Sequence, residues 1–262
     1  MSGVAVITGG SSGIGLATAR LFSQKGWTVY ELSRKGTGEA GITHITADVC
    51  DEEGLRSAFE QIAAKEGKID VLVNNAGFGI SGAIEYTKIS QAQKQMDVNF
   101  FGALRSTVAA LPYIRKSDEG HIIFVSSMGA PLALPFQAFY SCSKAAINDL
   151  TLALANELRP FKIAVCAVMP GDVKTGFTAA RQKDETGDGV YGSVIKKSVA
   201  TMEKDEQSGM SPQKIAAHIY KLSRKKHPKP LSTVGFTYKL IAVVQKLLPT
   251  RLVNYIVGKL YS

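Results

Sequence analysis

At 262 residues, 45% of them hydrophobic, the chain can build one large α/β domain or two small ones, and it holds no low-complexity tract or internal repeat. Its net charge of +9 sits wholly in the last third: residues 1–180 hold 16 basic and 16 acidic side chains, residues 181–262 hold 15 and 6, and no acid lies beyond Glu206. Such a field favours an anionic partner (a membrane surface, a nucleic acid or a phosphorylated substrate), while the opening MSGVAVITGG lacks the features of a secretory signal and reads as cytoplasmic.

In chain order, VAVIT (4–8) is a short continuous apolar run, as expected of a parallel strand covered on both faces. A helix follows from Gly13 to about Gly26, with Ile14, Ala17, Leu21 and Phe22 on one side. WTVYEL (27–32) and ITHITA (42–47) are the next strands, separated by a segment too short for a good helix. A helix over Asp51–Glu66, the strand in IDVLVNNAG (69–77), a long helix near 93–116 and the strand in GHIIFVSS (120–127) come next. A helix near 139–159 and a strand in KIAVCAVMPG (162–171) continue the alternation. Strand and helix at this rhythm predict a Rossmann-type doubly wound parallel sheet of about seven strands. The polar, glycine-dotted stretch 175–208 shows no clear element. A helix over 211–225 and a strand near 230–234 precede the tail.

Cys50, Cys142 and Cys166 form no C-x-x-C and read as buried thiols in a reducing compartment. His44, His121, His218 and His227 show no ligand spacing, so no metal site is expected. Chemistry is instead concentrated in three motifs. TGGSSGIG (8–15) lies between the first strand and the first helix, where glycines allow positive φ and let the backbone approach a pyrophosphate at a helix N-terminus. Its Gly9, Ser11, Ser12, Gly13, Ile14 and Gly15 are candidate dinucleotide contacts. At the end of the second strand stand Ser33, Arg34 and Lys35, a hydroxyl and two cations suited to a 2′-phosphate, so NADP(H) is favoured over NAD. Glu31 is the counter-signal, but it precedes the end of the strand; an exposed basic turn is the plainer alternative. Finally, Tyr140 and Lys144 are four apart and share a helix face, where an ammonium would lower the phenol's pKa and make it a usable acid and base. Ser127, at the end of a strand, can hydrogen-bond a substrate carbonyl.

TGGSSGIG, Asp48-Val49, NNAG (74–77), Asn99 in DVNFFG, Ser127, YSCSK and PGDVKT (170–175) together resemble the short-chain dehydrogenase/reductase family over residues 3 to about 234. The resemblance implies hydride transfer between a nicotinamide and a carbonyl or secondary alcohol. It implies Tyr140 as general acid/base, Ser127 as the group orienting the reacting oxygen, and Lys144 as the one lowering the tyrosine pKa and holding the nicotinamide ribose. Asn99 would keep a bend in its helix and a proton-relay water. Asp48 and Val49 would bracket the adenine; Asn75, Ala76 and Gly77 would support the cofactor. Pro170, Gly171, Val173 and Thr175 would hold its carboxamide side. A homodimer or homotetramer, paired through the helices near 93–116 and 139–159, is also implied.

The likeness is greatest to hydroxysteroid dehydrogenases, retinol dehydrogenases and acyl-dihydroxyacetone-phosphate reductases, which implies a steroid, retinoid or acyl-lipid substrate. Residues 1–234 then form the NADP(H)-binding reductase domain, with a substrate lid at about 175–208, and 235–262 form an amphipathic helical extension. A non-catalytic dinucleotide sensor on the same fold would be expected to lose Tyr140 or Lys144, and both are present. Nucleic acid is not expected as a partner, because KLSRKKHPKP (221–230) does not interleave aromatics with its cations. In the tail, Lys239, Ala242, Gln245 and Lys246 interrupt an otherwise apolar helix over 236–248; Pro249 ends it and Thr250 is the expected cap of the next. Neither helix reaches the roughly 20 apolar residues of a membrane span. Subunit or core packing, peripheral membrane contact through 235–262, and cover for the pocket mouth are three readings of this segment.

Overall fold

The computed structural model describes residues 3–261. Seven parallel strands form one sheet in the order β3-β2-β1-β4-β6-β7-β9. They are β1 (Val4–Thr8), β2 (Thr28–Ser33), β3 (Thr43–Thr46), β4 (Val71–Asn74), β6 (His121–Val125), β7 (Ala164–Met169) and β9 (Leu231–Thr233); a two-residue β5 (Ile80–Ser81) pairs with β8 (Gln182–Lys183) outside it. Every residue of β1, β4 and β6 is buried. Alternation then divides each strand between two cores. Val4, Val6, Leu72, Ile122 and Phe124 pack on one face, against α2 (Glu52–Glu66), α4 (Gly102–Ile114) and α5 (Ala138–Glu157). Ala5, Ile7, Val73, Ile123 and Val125 pack on the other, against α1 (Gly13–Gln24) and α8 (Pro212–Ser223).

The chain moves from β1 outward to β2 and β3, then returns to place β4 on β1's other side. That reversal opens a crevice beyond the strand C-termini, between the β1 and β4 connections, which is where ligands bind in open α/β sheets. As expected, residues 34–42 between β2 and β3 contain no helix. Asp51 caps α2, its Oδ1 accepting from the Gly54 N–H at 3.0 Å. Ser211 caps α8 by accepting from Lys214 at 3.4 Å, with Pro212 in the first turn.

Four expectations need correction. The long helix near 93–116 is α3 (Ile89–Met96), a π-helical turn (Asp97–Phe101) and α4, so it begins earlier and is locally widened around Asn99. The stretch 175–208 is regular: α6 (Phe177–Ala180), β8 and α7 (Val194–Gln207). In α7, Ile195, Ser198, Val199 and Met202 recur at helical spacing on its buried side, among flanking charges that mask the pattern. Cys142 is exposed, because α5 turns its neighbours Ser141 and Ser143 inward. Thr250 is not a cap. It is the first residue of α10 (Thr250–Tyr261), and the Pro249 carbonyl accepts from Leu252 and Val253 at 2.9 and 3.2 Å. Pro249 does separate α10 from α9 (Phe236–Leu247), holding Leu248 extended at ψ 147.

Candidate active site

Two strand ends are stitched together to form the floor of the crevice. The Thr8 hydroxyl accepts from the N–H groups of Asn75 and Ala76 at 3.1 and 3.2 Å. In return Asn75 Nδ2 donates to the Thr8 and Gly9 carbonyls at 3.1 and 3.0 Å. Asn75 is thus a brace that locks NNAG against the glycine turn. Gly9 and Gly13 take positive φ (63 and 53), and a Cβ on Gly15 would lie 2.2 Å from the Gly9 carbonyl oxygen. The turn therefore lies flat over the start of α1, whose first turn carries no acid, and Ser11, Ser12, Gly13 and Ile14 face the crevice. Gly15 packs behind them. This is a cradle that a pyrophosphate fits: backbone donors at a helix N-terminus with no side chain in the way.

At the β2 end, Ser33, Arg34 and Lys35 line the same cleft. Glu31 does not. It is buried beneath Gly10, whose added Cβ would stand 2.5 Å from that of Glu31, and its Oε1 meets His44 Nδ1 at 2.5 Å. Asp48 closes a tight turn by accepting from the Cys50 N–H at 3.0 Å, which presents Asp48 and Val49 to the cleft opposite the glycine turn.

Ser127, just beyond β6, and Tyr140, near the start of α5, both line the cleft, and Ser127 Oγ accepts from the Gly129 N–H at 3.0 Å. Lys144 Nζ donates to the Val125 carbonyl at 2.8 Å and lies 5.8 Å from the centre of the Tyr140 ring. Burial pushes the phenol up to about 12, with the Ser127 hydroxyl opposing it, and pushes the Lys144 ammonium down to about 8. The lowering of the Tyr140 pKa expected of Lys144 is outweighed by burial: one of the three ammonium N–H groups goes to Val125, and desolvation of the phenolate dominates.

Asn99 stands behind the cleft wall rather than on it. Its Oδ1 accepts from the Phe78 N–H at 3.0 Å, and its Nδ2 donates to the Phe78 carbonyl at 3.0 Å and to Ser143 Oγ at 3.1 Å. Ser143 in turn donates to the Tyr140 carbonyl at 2.7 Å. The π turn thereby aims one amide at both the loop after β4 and the helical turn that carries Tyr140. Gly77 is packed into the same corner, where a Cβ would stand 3.1 Å from Asn99 Oδ1 and 3.6 Å from Lys144 Nζ.

Pro170, Gly171, Val173 and Thr175 complete the near wall, pinned by the Met128 N–H donating to the Pro170 carbonyl at 2.8 Å. The cleft continues outward to a volume of about 1540 Å³. Phe177, Met202 and Glu206 of the segment 175–208 also line it, Phe177 with its ring centre 5.6 Å from that of Tyr140, as do Leu240, Val244, Ile256 and Leu260 of α9 and α10. Sequence reasoning missed three contributors. Tyr238 packs on Gly171, where any Cβ would collide with its ring, and donates to Asp172 Oδ2 at 2.5 Å. Asp172, raised by burial, itself lines the cleft. Arg181, fully buried, ion-pairs with Glu206 and ties α6 to α7. The signal for Tyr238 was its spacing: Tyr238, Ile241 and Gln245 share one face of α9 and all line the cleft.

Comparison with known proteins agrees with this geometry. The sequence model of short chain dehydrogenases matches residues 3–186. The chain is 40% identical to a 3-ketodihydrosphingosine reductase of Bacteroides thetaiotaomicron, an alignment covering 99% of this chain and 98% of that one. Its fold superposes on a 3-ketoacyl-(acyl-carrier-protein) reductase from Brucella melitensis complexed with NADH (TM-score 0.73, 26% identity, covering 88% of this chain and 96% of that one). It superposes equally on ElxO with NADP bound (TM-score 0.74, 25% identity, covering 91% and 99%).

Proposed function

The chain belongs to the short-chain dehydrogenase family, an oxidoreductase family using a nicotinamide dinucleotide, and from that premise we propose that it reduces the ketone of a long-chain amino-lipid, of the 3-ketodihydrosphingosine type, with NADPH. The observation that carries the reading is the continuity of the cleft. One end is the glycine cradle, the middle is Ser127, Tyr140 and Lys144, and the far end is walled by apolar side chains of α9 and α10.

NADPH is preferred because Arg34 and Lys35 stand at the adenosine end while Glu31 is occupied by His44. A guanidinium can fork onto a phosphate, which a ribose hydroxyl does not require. Asp48 and Val49 would bracket the adenine, Ser11 to Ile14 would hold the phosphates, Asn75 to Gly77 would support the cofactor from below, and Pro170 to Thr175 would hold the carboxamide. When bound, the dinucleotide supplies a hydride to the carbonyl carbon. Tyr140, kept neutral by burial, gives its proton to the carbonyl oxygen, and Ser127 donates a hydrogen bond to the same oxygen. The product is a secondary alcohol and a tyrosinate. The Lys144 ammonium, on the same face of α5, stabilises that tyrosinate and returns a proton to it. Asn99 acts through Phe78 and Ser143 as a positioning residue.

The substrate class is supported by the relative of 40% identity and by the lining of the outer cleft. A keto sphingoid base carries a protonatable amine next to its ketone and a long alkyl chain. Asp172 and Glu206 offer acceptors to the former, and Leu240, Val244, Ile256 and Leu260 offer contacts to the latter. Residues 1–234 thus form the reductase unit, 175–208 its lid, and 235–262 an extension that lengthens the pocket. Exposed Phe101, Val108 and Leu152, on or beside α4 and α5, offer the surface for a second copy in a dimer or tetramer.

NADPH oxidation with 3-ketodihydrosphingosine, a steroid ketone and retinal tests the reading, with the product identified by mass spectrometry. Tyr140→Phe should lower turnover on the first by about 10² to 10⁴-fold while leaving NADPH binding measurable. Retained turnover overturns the catalytic assignment, and turnover confined to the steroid or retinal overturns the substrate class.

A further inference from the structure

The outward faces of α9 and α10 are apolar. On α9, Phe236, Leu240, Val243 and Leu247 recur at helical spacing; Phe236 is 85% and Leu247 78% exposed. On α10, Leu252, Tyr255, Ile256 and Leu260 are likewise exposed. Three of these residues belong to both surfaces at once: Leu240, Ile256 and Leu260 line the cleft yet are 55%, 41% and 63% exposed. The apolar lining of the pocket therefore runs unbroken over its rim and onto the outside of the molecule.

Charge decides what covers such a face. Lys239, Lys246, Arg251 and Lys259 flank the apolar stripes, and no acid occurs anywhere on either helix. Among the described residues, none of these four cations is held in an ion pair by a carboxylate. The field extends beyond the two helices, because Lys239 of α9 and Lys221 and Lys225 from α8 and its end act together on His218, whose imidazole is pushed down chiefly by burial and then by these charges. A second copy docked face to face through the same two helices would set cations against cations, with no carboxylate on either helix to answer them. No helix among the described residues is long and apolar enough to cross a membrane. Helices that are apolar on one side, with cations bordering that side, lie instead in the plane of a lipid interface.

We infer that α9 and α10 seat the protein on an anionic lipid surface, with the rim of the substrate cleft against the lipid. An amphiphilic substrate could then pass from the bilayer to Tyr140 along continuous apolar surface, its chain never crossing water. Lysine stems suit this geometry, since they lie along the apolar stripe while the ammonium reaches phosphate. Each cation brought to such a surface gains roughly fivefold in partitioning.

Vesicle co-sedimentation of the full chain tests the inference without substrate or cofactor, so its outcome is separate from that of the reductase reading. The protein should bind phosphatidylcholine vesicles containing phosphatidylglycerol, should bind pure phosphatidylcholine weakly, and should be released by salt. Lys239→Glu with Lys246→Glu should weaken binding by about tenfold or more. Phe236→Glu with Leu247→Glu, neither of which lines the cleft, should do the same while unfolding at the wild-type temperature. A full chain that stays in the supernatant at low salt overturns the inference. So does binding that survives both double variants. The inference is equally overturned if light scattering finds an oligomer that Phe236→Glu with Leu247→Glu takes apart, because the face is then covered by a second copy.

Discussion

Tyr140 and Lys144 illustrate how burial sets the direction of the chemistry. A phenol pushed up to about 12 holds its proton at neutral pH and is available as an acid. Lys144 moves the other way, and its lowered value of about 8 puts its charge within reach of ordinary buffers. Its folded pKa lies below the ordinary lysine value of 10.5, so the cation is disfavoured by folding. It is present below about pH 8 and lost as pH rises through that value. If the ammonium stabilises the tyrosinate, kcat/KM for ketone reduction should be flat below pH 8 and fall about tenfold per unit above it. A profile flat to pH 10 would remove Lys144 from the reacting group. At the other end of the cleft, Arg34→Ala deletes one of the two cations that line it beyond β2, where the 2′-phosphate is proposed to sit. Loss of a charge-assisted contact should cost NADPH about tenfold or more in kcat/KM and leave NADH almost unchanged. An unchanged NADPH/NADH ratio would count against the 2′-phosphate assignment.

Among the elements, the central strands were the most legible in sequence, because a strand buried on both faces is an uninterrupted apolar run. VAVIT, VLVN and HIIFV all stand at the positions that pattern predicts. Helix ends were less so. α5 begins within one residue of expectation, whereas α3 starts earlier than the apolar pattern suggests, because ISQAQKQM is mostly polar and buries only Ala92 and Gln95. The π turn has no signature in the apolar pattern, and only the resemblance carried by DVNFFG implied a bend at Asn99. It is fixed by hydrogen bonds from Asn99 to Phe78 and Ser143, residues 21 and 44 positions away. α7 was hidden for a related reason: its apolar stripe is cut by Ser198, and two of its acids, Glu203 and Glu206, are paired to Lys183 and Arg181 outside it. The cradle, Ser33, Arg34, Ser127, Tyr140 and Lys144 all reach one cleft, so the near half of the candidate site was readable from motifs. The far half was not, since Asp172, Tyr238 and Glu206 meet only through tertiary packing.

For the molecule as a whole, one sheet end gathers everything that the function needs, and the chain's last third changes the character of that end. Residues 1–180 are electrically balanced and build the cradle and the reacting group. The remainder carries the entire net charge and supplies part of the cleft wall and the exposed apolar helices. Alkyl-chain selectivity should therefore reside in the tail, apart from the chemistry. Val244→Ser with Ile256→Ser, in the full chain, removes two branched side chains from the cleft wall near its rim. Each lost apolar contact costs on the order of 1 kcal/mol, so kcat/KM for a long-chain ketone should fall about tenfold or more. A short-chain ketone that does not reach the rim should be reduced at close to the wild-type rate, and the dissociation constant of NADPH should not move. Equal losses on long and short ketones would mean that α9 and α10 hold the reacting group rather than the alkyl chain. No loss on either would mean that the chain leaves the cleft by another side.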